Sequence, residues 1–153
     1  MTETVIVIAV VLSGLFAGLF ATFSYAVMPG LRRTDDATFA RAMREINVAI
    51  LNAALGIVFG GSVLASIAAA ILGFDDEAAR WWLVAGAVLV VAAGAVTMGV
   101  NVPMNDRLLA GVDAGEPPAS VREAFEAPWV RWNHVRTVLS TAGFAALVVA
   151  LVV

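Results

Sequence analysis

Trp129-Val130-Arg131-Trp132-Asn133-His134-Val135-Arg136-Thr137 runs without a break into Val138-Leu139-Ser140-Thr141-Ala142-Gly143-Phe144-Ala145-Ala146-Leu147-Val148-Val149-Ala150-Leu151-Val152-Val153, sixteen residues without a charge. From Trp129 to Val153 the segment is long enough to cross a bilayer, which takes roughly 20 apolar residues. An asparagine, a histidine and an arginine stand near its head. Such groups are expensive in hydrocarbon, so by default they face a bundle interior and mark a functional site.

The rest of the chain supports a membrane setting. Of 153 residues, 61% are hydrophobic and 14% charged, where a soluble domain carries about a quarter charged. Mean hydropathy is +0.94. One domain, residues 1–153, accounts for the length. The absence of cysteine removes disulfides, thiolate metal sites and thiol nucleophiles together. Net charge is −3, all nine basic residues are arginine, and no basic stripe calls for nucleic acid. Met1-Thr2-Glu3-Thr4 lacks the positive start of a signal peptide, so the apolar run behind it reads as a retained first span.

Four segments qualify as spans: Val5–Met28, Ile46–Leu72, Trp82–Met104 and Trp129–Val153. Trp81, Trp82, Trp129 and Trp132 fall where an interfacial aromatic belt is expected. Seven arginines (Arg32, Arg33, Arg41, Arg44, Arg107, Arg122 and Arg131) flank connections one and three, against Arg80 alone at connection two. The positive-inside rule then puts connections one and three in the cytoplasm and both termini outside a cell membrane. Phe39, Met43 and Ile46 form a stripe suited to a short helix lying on the interface. Ser120 and Glu123 fit a capping box for a second short helix, with Pro128 as first-turn proline of span four. Pro103 reads as a terminator of span three. The fold class is all-α, an integral membrane four-helix bundle with short interfacial helices in the first and third connections. Gly14/Gly18 and Gly56/Gly60 are GxxxG pairs and Ser62/Ser66 a small-xxx-small pair, signals of close helix packing. Self-association into a homo-oligomer stays open, and membrane lipid surrounds the bundle.

In this topology the polar groups inside the spans collect in one leaflet. Span one brings Ser24 and Tyr25, span two Glu45, Asn47 and Asn52, span three Thr97, Asn101, Asn105 and Asp106, span four Asn133, His134, Arg136 and Thr137. They meet about two turns below the interface, near 10 Å at the helical rise, as a polar pocket. Each has a plainer reading. Arg136 either snorkels to the headgroups or, the preferred reading, pairs inside with Glu45 or Asp106. His134, the one histidine, is a hydrogen-bonded structural imidazole or a proton-transfer group, the chemistry imidazole does best near neutral pH. The asparagines are glue between helices or the lining of a site. Trp129 and Trp132 are anchors first. A closed metal site lacks the usual ligands, so no metal ligand is named and a metal requirement stays open. No P-loop, dinucleotide fingerprint or nucleophile elbow is present.

Several motifs carry a resemblance. Gly14-Leu15-Phe16-Ala17-Gly18-Leu19-Phe20 with Tyr25-Ala26-Val27-Met28-Pro29 resembles the first span of the anthrone oxygenase-like family of small membrane proteins. So do Ile46-Asn47 with Leu51-Asn52, Asn101-Val102-Pro103-Met104-Asn105, and Trp132-Asn133-His134-Val135-Arg136-Thr137. The similarity runs along essentially the whole chain; the N-x-P-x-N and W-N-H-x-R-T elements are its specific parts. Fungal relatives oxidise anthrones to anthraquinones, and bacterial ones mostly form an uncharacterised domain family. The resemblance implies a cofactor-independent oxygenase acting on a lipophilic polycyclic or quinol-like molecule, with O2 as co-substrate. His134 would be the base, with Arg136 and Asn101 or Asn133 stabilising the oxyanion. Asn52, Asn47, Asn105, Tyr25, Trp132 and Thr137 would bind substrate. The alternative is a non-enzymatic membrane protein binding a lipophilic ligand or a partner protein, its polar cluster a structural network.

Overall fold

The structure, a computed structural model, describes residues 2–153. Helices α1 (Thr2–Leu31), α2 (Asp36–Ala49), α3 (Ala53–Leu72), α4 (Arg80–Asp113) and α5 (Pro118–Val152) account for nearly all of them, with no strand among the described residues. Apart from α2, each is long and apolar enough to cross a membrane. The chain is an all-helical, multi-pass membrane protein.

The four long helices close a ring: α1 packs on α3, α3 on α4, α4 on α5, and α5 returns to α1. Phe16, Phe20, Leu83, Val90 and Leu147 fill its centre. Phe16 meets Phe20 and Phe59 edge-on, with ring centroids 4.6 and 5.3 Å apart. A close backbone approach falls between α4 and α5. A Cβ at Gly143 would lie 3.0 Å from Val90 Cγ2 and 3.2 Å from the Gly86 carbonyl oxygen. The GxxxG pairs do less than expected. Gly14 lies against Phe144, but Gly18, Gly56 and Gly60 meet nothing within 4 Å.

A second layer sits at the arginine-rich end, where α4 and α5 extend past the bundle and α2 packs across them. Phe39, Met43, Leu108, Val121, Phe125 and Trp129 form its core. The expected interfacial stripe of α2 is therefore turned onto protein, with Phe39 and Met43 fully buried. Ion pairs seal the layer. Arg122 reaches Glu126 at 2.6 Å and Asp36 at 3.0 Å, and Arg44 reaches Asp113 at 2.7 Å.

Several local expectations need correction. Span two does not begin at Ile46: α2 ends at Ala49, and Asn52 starts α3 as its N-cap, Oδ1 accepting from Leu55 N at 3.1 Å. Ser120 and Glu123 form no capping box, because α5 begins at Pro118 and already includes both. Pro118 takes the first-turn place expected of Pro128, which lies inside the helix. Pro103 ends nothing, since α4 continues to Asp113. A proline inside a helix removes one i→i−4 bond and crowds the preceding turn. The chain answers by widening. Phe23–Val27 and Thr97–Asn101 are π turns, each ending two residues before a proline, Pro29 and Pro103. Met28 N–H donates to Phe23 C=O and Val102 N–H to Thr97 C=O, five residues back in both cases. Such widened turns recur at functional sites, and here they carry Ser24 and Asn101.

Candidate functional site: a groove and a buried cation on two sides of α5

The α1–α5 seam is tied by one asparagine. Asn133 Nδ2 donates to the Phe20 carbonyl at 3.1 Å and to Ser24 Oγ at 2.8 Å, and its Oδ1 accepts from Arg136 Nε at 3.0 Å. Thr137 Oγ1 donates to the Asn133 carbonyl at 2.7 Å and lies 3.1 Å from Ser24 Oγ. With the Thr137 proton so committed, Ser24 donates across that contact. The widened turn around Ser24 faces this seam.

Arg136 points into the ring interior. Its guanidinium carbon is 4.1 Å from the Phe20 ring centroid and 5.0 Å from that of Trp129, so aromatic faces cover the cation. Trp129 is held in turn: its Nε1 donates to Asn105 Oδ1 at 2.7 Å, and its ring stacks on Phe125. The pairing of Arg136 with Glu45 or Asp106 does not form. No carboxylate lies within 4 Å of it among the described residues. Asn101 is fully buried, and neither its Oδ1 nor its Nδ2 has a hydrogen-bond partner. The α4–α5 register, fixed by Gly86 against Gly143 and Asn105 against Trp129, brings Asn101 level with about Asn133.

His134 lies elsewhere. Two residues at about 100° each put it on the far side of α5 from Arg136. There it lines an open groove of about 280 Å³ between the end of α1 and the Glu126–His134 stretch of α5. Met28, Pro29 and Val130 give that groove apolar walls, and Ser24 links it to Asn133. Arg32, Arg33 and Glu126 also line it, with Arg32 Nε 3.3 Å from Glu126 Oε1. Arg33 makes no ion pair among the described residues.

The remaining candidates scatter. Thr137 joins the seam and Asn105 supports Trp129. Asn47 is buried on α2 with Nδ2 unpaired. Asn52 is exposed, its amide spent on Ala49 O and Leu55 N. Tyr25 faces outward, its hydroxyl 3.4 Å from Thr22 Oγ1, and Trp132 is also exposed. The expected single pocket is thus resolved into an interior cluster and an outer groove. Sequence reasoning passed over Phe20, Arg33 and Glu126 as site residues. The one available signal was Met28-Pro29 followed closely by Arg32-Arg33, which sets two cations just past a proline near a helix end. No three His, Cys, Asp or Glu side chains gather to hold a metal ion among the described residues.

No curated protein and no solved structure matches the chain. One protein-family model does, that of anthrone oxygenase, over residues 39–146. The matched region takes in nearly all of α2, all of α3 and α4, and α5 through Asn133, His134, Arg136 and Thr137. With most of its length aligned to that one family, the chain belongs to the anthrone oxygenase family.

Proposed function

We propose that the chain is an oxygenase that deprotonates a lipophilic polycyclic ketone or quinol-like molecule and lets the resulting anion react with O2. The observation that carries this reading is His134 lining a groove whose Ser24 is held by Asn133. Met28, Pro29 and Val130 suit flat apolar rings, and the groove volume is near the lower end for small-molecule sites, about 300 Å³. Both O2 and an anthrone partition into lipid.

The chemistry balances without a further redox group. His134 takes a proton from the doubly benzylic CH2, and the charge delocalises onto the ketone oxygen across the ring. Arg33, free of any ion pair, supplies positive potential for that oxygen. The carbanion carbon forms a bond to O2, and the peroxide takes the proton back from His134. Loss of the second C–H proton, with O–O cleavage, gives the quinone and water: CH2 + O2 becomes C=O + H2O. Arg136 and Asn133 act in this scheme as positioning residues, fixing Ser24 from behind.

The seven-to-one division of arginines supports placing the groove end in the cytoplasmic leaflet, with both termini outside.

The test is anthrone oxidation by purified protein, followed by O2 uptake and quinone absorbance. One O2 is expected per anthrone. His134→Ala is expected to lower the rate by about 100-fold or more. Wild-type turnover in that variant removes His134 from the chemistry. A second reading, a non-enzymatic protein binding a lipophilic ligand, draws on one observation: Asn133 and Thr137 spend their hydrogen bonds tying α5 to α1. Under it, purified wild-type protein consumes no O2 with any anthrone.

A further inference from the structure

Other arginines show what burial asks of a guanidinium in this chain. The Arg122 side chain is 15% exposed and holds two carboxylates; those of Arg80 and Arg44, 30% and 31% exposed, hold Glu77 and Asp113. Arg136 is more buried than any of these, at 5% exposure, and holds none. An unpaired cation at membrane depth is strongly destabilising. Phe20 and Trp129 cover the guanidinium faces and Asn133 takes Nε. What remains is the outer edge, whose Nη1 and Nη2 make no hydrogen bond among the described residues. By the α4–α5 register Asn101 is level with about Asn133, which holds Arg136 Nε, and its fully buried amide has no partner for either atom. Unsatisfied buried polar groups are rare and call for an explanation.

We infer that the free edge of Arg136 and the Asn101 amide N–H form an interior site for a small monovalent anion, chloride in size or planar like nitrate. A guanidinium presents its donors in one plane, so an edge-on anion receives two N–H bonds while the aromatic rings keep the faces. The slight exposure of Arg136 restricts the guest to a few atoms. The site lies on the side of α5 away from His134, so it stands independently of the oxygenase reading.

The test is thermal unfolding of the full-length protein in detergent. Chloride or nitrate replaces gluconate at constant ionic strength. The melting temperature is expected to rise and saturate with chloride and with nitrate. Arg131→Gln, at an exposed position, keeps the response, and Arg136→Gln loses it. Asn101→Asp supplies a fixed carboxylate beside Arg136. That variant is expected to lose chloride dependence and to unfold no lower than chloride-saturated wild type. Asn101→Leu, which keeps the volume, raises the half-saturating chloride concentration about tenfold or more. A wild-type protein with no saturable response overturns the inference, as does unchanged dependence in Asn101→Leu. If a hydroxyanthraquinone anion raises the melting temperature through Arg136 while chloride and nitrate do not, the anionic oxygen belongs to a substrate and the free-anion site is rejected.

Discussion

Asn133→Ala and His134→Ala alter neighbouring residues and are expected to behave oppositely. Removing the Asn133 amide deletes three hydrogen bonds, to Phe20 O, Ser24 Oγ and Arg136 Nε. At about 0.6 kcal/mol each between membrane helices, these amount to about 2 kcal/mol. The loss also strands Arg136 Nε, a buried charged donor, which adds about 1–3 kcal/mol. The total, about 3–5 kcal/mol, is a large part of the stability of a domain this size. His134 faces an open groove and makes no hydrogen bond among the described residues, so His134→Ala should change stability by under about 0.5 kcal/mol. The assay is unfolding of each purified variant in mixed micelles, run beside anthrone oxidation. Asn133→Ala should unfold early, and its folded fraction should turn over more slowly than wild type because Ser24 is no longer held. His134→Ala should unfold like wild type and be inactive. A fully stable Asn133→Ala refutes the account of the seam. An unstable His134→Ala refutes its separation from the groove.

Gly143→Leu should destabilise by about 1–3 kcal/mol or more, because its Cβ alone would press on Val90 and the Gly86 carbonyl; Gly18→Ala, in open space, should stay within about 0.5 kcal/mol, and micelle unfolding distinguishes the two. Asn52→Ala removes the α3 N-cap and should cost about 1 kcal/mol, while Asn52→Asp, which keeps an acceptor, should unfold like wild type. The Thr38 hydroxyl and then its backbone N–H donate to the Asp35 carboxylate and hold its pKa below the ordinary 3.8. A depressed carboxylate contributes stability that is present above the ordinary value and lost as pH falls through the folded one. Protection of the α2 first-turn amides against hydrogen exchange should therefore fall in acid below about pH 4, and Asp35→Asn should flatten that dependence.

What was legible in the sequence follows from what a single helix encodes. The four long helices and the arginine-rich end both rest on apolar run length and position along an axis. The angular separation of His134 from Asn133 was also readable, since about 100° per residue is a property of one helix. Facts that need two helices at once were not. Phe20 could not be recognised as the platform for Arg136 without the α1–α5 register, nor Arg33 as a groove residue without knowing where the end of α1 sits against α5. The stripe on α2 looked like a membrane contact because amphipathicity shows that a face will be buried and not by what. Pro103 misled for a similar reason: it is a terminator only if the helix cannot widen, and α4 does.

Counting unspent hydrogen-bonding capacity reduces the polar residues of the spans to a short set. Ser13, Thr22, Ser62, Ser66, Thr97 and Ser140 all donate to carbonyls three or four residues back in their own helices. Such bonds satisfy a hydroxyl without recruiting a neighbour. Among the asparagines, Asn52 is consumed by a cap, Asn105 by Trp129 and Asn133 by the seam; Asn47 on α2 keeps Nδ2 unpaired, and Asn101 alone in the long helices keeps both amide atoms free. Outside the ring, His134 and Arg33 keep their donors unspent on the walls of one groove. A purely structural network gains nothing from leaving its most buried cation without a carboxylate and its most buried amide without a partner, since each costs stability until something meets it. The fully bonded groups are the struts of this bundle, and the unsatisfied ones are the positions that the anion and oxidation experiments address.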